Sequence, residues 1–133
     1  MKRRPDRMLS VLRVRKVQED IAAAARQRAE LEVADEEARF AAREADLRRG
    51  WCDRALVDLA FEAVDRASVR LAGANDVADE RRSVHIAAVQ RARAIERLVE
   101  RRRAEAAAEA ARKAAATLDD LATTRHVRRS AAS

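Results

Sequence analysis

Between Leu47 and Leu56 the chain reads LRRGWCDRAL. Arginines in a last helical turn sit against the negative end of the helix dipole, and a glycine just beyond can take the left-handed backbone that closes it. Three residues on, Asp53 can accept from the bare N–H groups that open a second helix. The stretch therefore predicts a helix stop and a helix start in ten residues. One other stretch can turn the chain: RLAGANDVADE, Arg70–Glu80, with Gly73 as the stop and Asn75 or Asp76 as the cap.

Outward from this break, apolar residues recur every three or four positions. Val14, Val17, Ile21, Ala24, Leu31, Ala38 and Ala45 fall on one stripe, interrupted by Arg28 and Asp35. A second stripe runs through Leu56, Ala60, Ala63, Ala67, Leu71 and Ala74. It continues through Val77/Ala78, Val84, Ala88, Ala92, Ile95 and Leu98/Val99. Heptad-like spacing of this length favours paired helices, and nothing alternates with the period of a strand. The phase runs through both candidate turns, so pairing has to decide between them. A bend at Gly50 sets Ala45 against Leu56, Leu31 against Leu71, Val17 near Val84, and Gly73 against Arg28, where a missing side chain makes room. A bend at residues 73–76 would pair ERRRAEAAAEAARK with LEVADEEARFAAREA, a charged and weakly apolar contact. Gly50 is favoured.

The expected fold is all-α: a long antiparallel two-helix coiled-coil hairpin with an overhanging C-terminal helix. Residues 1–8 read as a basic tail and 9–125 as one domain. Helix one spans about 9–48, the turn 49–53 and helix two about 53–125, with a basic flexible tail over 126–133. At ~1.5 Å per residue the helices would be roughly 60 and 110 Å long. From Arg101 to Thr117 the largest apolar side chain is a methyl group. Such a segment can persist as a single helix through propensity and i,i+4 pairs, among them Glu105 and Glu109 with Arg101 and Lys113.

Composition agrees. Among 133 residues, 39% are charged, aromatics are Phe40, Trp51 and Phe61 alone, and there are two glycines and one proline. Alanine, arginine and glutamate form helix readily but bury little, so no thick core is available. The net charge of +6 is uneven. Residues 1–16 carry seven basic side chains against Asp6, residues 123–133 three arginines and no acid, and the rod between is mildly acidic. Basic ends suit acidic partners.

Nothing points to catalysis, a metal or a cofactor. His85 and His126 have no motif around them, and His85 reads as a partly covered coil histidine. Zinc spacing and glycine-rich phosphate loops are absent. The acidic pairs Glu19–Asp20, Glu36–Glu37 and Asp119–Asp120 read as solvated faces, since a rod offers no water-excluding pocket to tune them. Cys52 reads as a small filler, and Trp51 and Phe61 as partner anchors or as cover for the bend. Nucleic-acid binding is not expected, because basic runs are short and no aromatic platform exists. The longest stretch without formal charge, Ser83–Gln90, is too short to span a membrane, and MKRRPDRMLSVLRVRK lacks the apolar core of a signal peptide.

Three stretches carry a family resemblance. LSVLRVRKVQEDIAAAARQRAELE, at Leu12, Arg13, Arg15, Lys16, Gln18, Glu19 and Asp20, resembles the opening of the FliJ family, the stalk-like component of the bacterial flagellar protein-export apparatus. ARAIERLVERRRAE is similar to that family's leucine–glutamate–leucine–basic stretch at Ile95, Glu96, Leu98, Glu100, Arg101 and Arg102. LDDLATTRH resembles its closing acidic pair and basic end at Leu118, Asp119, Asp120, Leu121, Ala122 and Arg125. The resemblance implies a rotor-stalk-like hairpin, non-catalytic and motility-related, whose joined ends enter the hexameric ring of the export ATPase. It also implies contact with the cytoplasmic domain of the export-gate membrane protein and with export chaperones. The chain would then be cytoplasmic, peripheral at the inner membrane face through partners, and a monomer when free. The expected interface residues are Arg13, Arg15, Glu19, Asp20, Leu98, Arg101, Arg102, Leu118, Asp119, Asp120, Leu121 and Arg125. Two alternatives are a self-associating structural coiled coil and an arginine-rich nucleic-acid-binding rod.

Overall fold

The computed structural model describes residues 7–50 and 52–132 and holds two helices, α1 (Arg7–Arg48) and α2 (Arg54–Ala131). They pack against each other as an antiparallel hairpin. The chain turns at Gly50, whose φ of 69° lies in the left-handed region that a side chain resists. Asp53 opens α2 as its N-cap: its carboxylate accepts from Ala55 N at 2.9 Å and its carbonyl from Val57 N at 3.1 Å. Gly73 sits inside α2, in plain helix.

α2 runs six residues past Arg125, through most of the expected flexible tail. Hydroxyls along this end of α2 fold back on the helix. Thr123, Thr124 and Ser130 donate to the carbonyls of Asp119, Asp120 and His126, each four residues earlier. At the other end Arg7 and Met8 are already helical; residues 1–6 of the expected basic tail lie outside the described residues.

The seam differs from the expected one on α1. A stripe that loses exposure there runs through Leu12, Arg15, Glu19, Ala22, Arg26, Ala29, Val33, Glu36 and Phe40, spaced alternately by three and four. The stripe of Val14, Val17, Ile21, Ala24, Leu31, Ala38 and Ala45 is exposed. Both sets have heptad spacing, but they differ by two residues, which is about 200° round a helix. α2 takes the set with Leu12, Val33 and Phe40. Ala22 and Ala29 between them let the backbones approach and become nearly covered. On α2 the expected stripe largely faces α1: Ala67, Ala78, Ala92 and Val99 are buried, and Ala60, Leu71, Ala74, Ala88 and Ile95 half-buried.

The register is offset as well. Lys16 reaches Glu96, Arg26 reaches His85, Glu30 reaches Arg82, and Gly73 shares a groove with Glu32 and Glu36 rather than with Arg28. Each part of α1 thus meets a piece of α2 further from the bend than a symmetric hairpin would give. The first residues of α2, Arg54 to Leu56, are exposed and take up the offset together with the turn.

Packing ends at Val99. From Glu100 to Ala132 every residue is exposed, so α2 continues alone for about 50 Å at ~1.5 Å per residue. The chain exposes 11202 Å², whereas a compact monomer of its mass exposes about 7,000 Å². No described side chain is fully buried.

Candidate protein-docking surfaces

Three surfaces can meet a partner. The first is the overhang. Its flanks from Arg101 to Thr117 are alanine methyls and charged arms, fixed by one local ion pair, Lys113 Nζ to Glu109 Oε1 at 2.8 Å. The companion pair expected between Arg101 and Glu105 does not form. Further out, Leu118, Leu121 and Val127 project into solvent at 66, 56 and 58% exposure. Asp119, Asp120 and Arg125 are exposed beside them.

The second surface is the open end of the hairpin, where α2 leaves α1. Arg13 and Asp20 of α1 and Leu98, Arg101 and Arg102 of α2 are exposed there. Arg15 and Glu19 are not offered in the same way: both lie half-buried on the inner stripe, and Arg15 donates to Gln18 Oε1 at 3.0 Å. Arg125 is 23 residues beyond Arg102, about 35 Å along a helix. The expected interface residues thus form two separate groups rather than one basic end.

A cross-helix clasp fixes the arms between these ends and the bend. Arg26 Nε donates to Glu30 Oε1 at 2.8 Å, and its Nη1 lies 3.4 Å from His85 Nδ1. Arg82 approaches the same Glu30 at 3.8 Å. The hydrogen bond from Arg26 holds the Glu30 carboxyl below its ordinary range. Lys16, hydrogen-bonded to Glu96 Oε1 at 3.0 Å, is held above the ordinary lysine range by that bond and by the carboxylate's charge. His85 is therefore a seam residue, as its surroundings in the sequence suggest.

No protein-family model, curated protein or solved structure matches this chain.

The third surface is a groove between the helices near the bend, about 550 Å³ and open to solvent. It is lined by Arg39 and Arg43 of α1, Arg66 and Arg70 of α2, and Glu36. Arg39 donates to Glu36 Oε1 at 2.6 Å, while Glu36 Oε2 is buried without a partner among the described residues. Arginine arms from two helices converge here because both sequences place them one or three positions from the alanine floor of Ala42, Ala63 and Ala67. Sequence periodicity alone misses this groove, since it depends on the register. Phe61 is exposed on α2, and Cys52 is an exposed thiol; Trp51 lies outside the described residues. Among the described residues no group of three His, Cys, Asp or Glu side chains is placed to hold a metal ion. No described helix is long and apolar enough to cross a membrane.

Proposed function

We propose that this chain is a stalk and adaptor of a flagellar type III protein-export ATPase, acting by docking and not by making or breaking bonds. One observation carries the reading. A two-helix hairpin continues from its open end as a lone, fully exposed helix whose inner half presents only methyl groups and charged arms. A shaft of that kind can enter a narrow ring, because small side chains avoid steric catches and arginines attract acidic or polar loops without fixing a register. The resemblance at Arg13 to Asp20, Ile95 to Arg102 and Leu118 to Arg125 supplies the partner class. In this reading Arg13, Arg101 and Arg102 meet the ATPase ring, with Leu98, Leu118 and Leu121 as apolar contacts along the shaft. The cytoplasmic domain of the export gate and export chaperones are the other partners, and they hold the chain at the inner face of the membrane.

The test is affinity for the export ATPase hexamer of the same cell, with circular dichroism alongside. Arg101→Glu with Arg102→Glu should weaken ring binding and leave helicity intact. Unchanged affinity removes those two residues from the interface. A wild-type chain that does not bind the hexamer overturns the stalk reading.

A further inference from the structure

The packed face of α1 leaves its other face unexplained. Val14 and Val17 are each 56% exposed, Ile21 62% and Leu31 61%. With Ala24, Ala38 and Ala45 they form a stripe of heptad spacing on the side of α1 turned away from α2. Scattered exposed apolar residues need no explanation; a second complete seam on one helix does. Two charged residues interrupt it, Arg28 and Asp35. Asp35 has no ion pair or hydrogen bond among the described residues. The Arg28 guanidinium donates only to the Ala24 carbonyl of its own helix, at 3.4 Å.

We infer that this stripe binds a second copy of the same chain, α1 against α1, antiparallel about a two-fold axis near Leu31. Charge and size both select this arrangement. In a parallel dimer Arg28 would face Arg28 and Asp35 would face Asp35. In the antiparallel dimer Arg28 of each copy faces Asp35 of the other, twice, as a two-fold axis requires. The apolar residues are also graded along the stripe. The large ones, Val14, Val17 and Ile21, lie toward the N-terminus and the alanines at 38 and 45 toward the C-terminus. Antiparallel pairing about Leu31 sets Val17 opposite Ala45 and Ile21 opposite Ala41, large against small, with Leu31 on the axis. Parallel pairing would set valine on valine at one end and alanine on alanine at the other, leaving a gap. Glu32 flanks the axis; it and Arg28 line one open groove together with Val77 and Arg81 of α2.

The contact is modest. Residues 14–45 make a strip about 48 Å long and one helix, about 10 Å, wide. That covers about 1,000 Å² over both copies, near the lower bound of a specific interface, so a weak, concentration-dependent dimer is expected. The α2 overhang lies outside it and stays open, so this inference does not rest on the export-ATPase reading.

Sedimentation equilibrium on the full chain, with Arg28→Asp and Asp35→Arg variants, tests the pairing. The wild type should dimerise at micromolar concentration. Each single variant places like charges at both symmetric contacts and should dimerise about tenfold more weakly. An equimolar mixture of the two should form a heterodimer at least as tight as the wild-type dimer. One copy then carries a carboxylate at both positions and the other a guanidinium at both, so each symmetric contact again joins opposite charges. Circular dichroism checks that both variants stay helical. A wild type that remains monomeric leaves the stripe to a different protein and overturns the inference. So does a dimer indifferent to the charge changes or not restored by mixing. Loss of ATPase binding with the dimer intact, or the reverse, tells this failure apart from failure of the stalk reading.

Discussion

The paired and unpaired lengths of α2 are built from nearly the same residues. Between Val57 and Val99 alanine is the seam residue, and Ala92 is only 2% exposed. Between Glu100 and Ala131 alanine is more frequent still, and every one is in solvent. What differs is the supply of larger apolar residues beside the alanines. Leu71, Val64, Ile95 and Val99 supply burial for α2, and the alanines between them set a short distance to α1. Without such neighbours the same methyl group contributes only helix propensity. Alanine therefore means close packing in one half of the helix and smooth, unattached shaft in the other.

The sharpest break of this comparison is one substitution made in both halves. Ala78, 4% exposed, faces α1; Ala107 is in the overhang. Ala78→Asp places a carboxylate in the seam and should cost about 3 kcal/mol of hairpin stability. Ala107→Asp should cost about 0.5 kcal/mol, the difference in helix propensity. Thermal melts followed by circular dichroism distinguish them: the midpoint falls steeply for the first and hardly moves for the second. Equal effects would mean that the overhang is packed after all.

The two glycines give opposite signs at smaller magnitude. Gly50→Ala forces a Cβ into left-handed backbone and should cost about 1 kcal/mol. A Cβ at Gly73 meets nothing within 4 Å, so Gly73→Ala should stabilise α2 by about 0.5–1 kcal/mol. Chemical denaturation of both variants checks this. Destabilisation by Gly73→Ala would place a close backbone contact where the structure has open groove.

These sites also mark what the sequence makes legible. The bend and its cap are local chemistry, and Gly50 and Asp53 state them within a few residues. The overhang follows from the absence of large apolar side chains between Arg101 and Thr117. The inner face of α1 is not legible, because that helix carries two heptad stripes. The one α2 uses contains Arg15, Glu19, Arg26 and Glu36, residues that a reading by hydrophobicity passes over. Long stems let such residues line a thin seam while their charged ends reach its edge. The same rotation withdraws Arg15 and Glu19 from the expected interface and exposes Ile21 and Leu31. The register escapes the sequence too, since it depends on how far α2 runs before packing starts. The arginine groove around Glu36 is a consequence of that register.

pH probes the paired half alone. Hydrogen bonding from Arg26 lowers the Glu30 carboxyl, so its contribution is present above the ordinary carboxylate range and lost as pH falls through the lowered value. The bond to Glu96 raises Lys16, so its contribution is present below the ordinary lysine range and lost as pH rises through the raised value. Hairpin stability should be flat near neutrality and decline shallowly in acid and in strong alkali. Lys16→Met should remove the alkaline decline, and Glu30→Gln should reduce the acid one. Both side chains are largely solvated, so salt should mute the effect further. A variant of the clasp that shifts the overhang's amide exchange would show that the two halves are coupled.

The smallest effect belongs to the overhang's own ion pair. Lys113 and Glu109 are spaced i,i+4 and 2.8 Å apart, with both side chains mostly in solvent. Lys113→Glu replaces attraction by repulsion one turn from Glu109 and should cost about 0.5 kcal/mol of local helix stability. Because no seam residue is near, the loss should appear as faster amide exchange around residues 105–117 and leave the melting midpoint of the hairpin unchanged. The double change Glu109→Lys with Lys113→Glu restores opposite charges in the less favourable order. Its exchange should fall between that of the wild type and the single variant. Exchange that slows in the presence of the export ATPase hexamer would locate the shaft inside its partner. A midpoint that moves with Lys113→Glu would instead mean that the overhang and the hairpin unfold as one body, and that alanine in the distal half is held by more than its own helix.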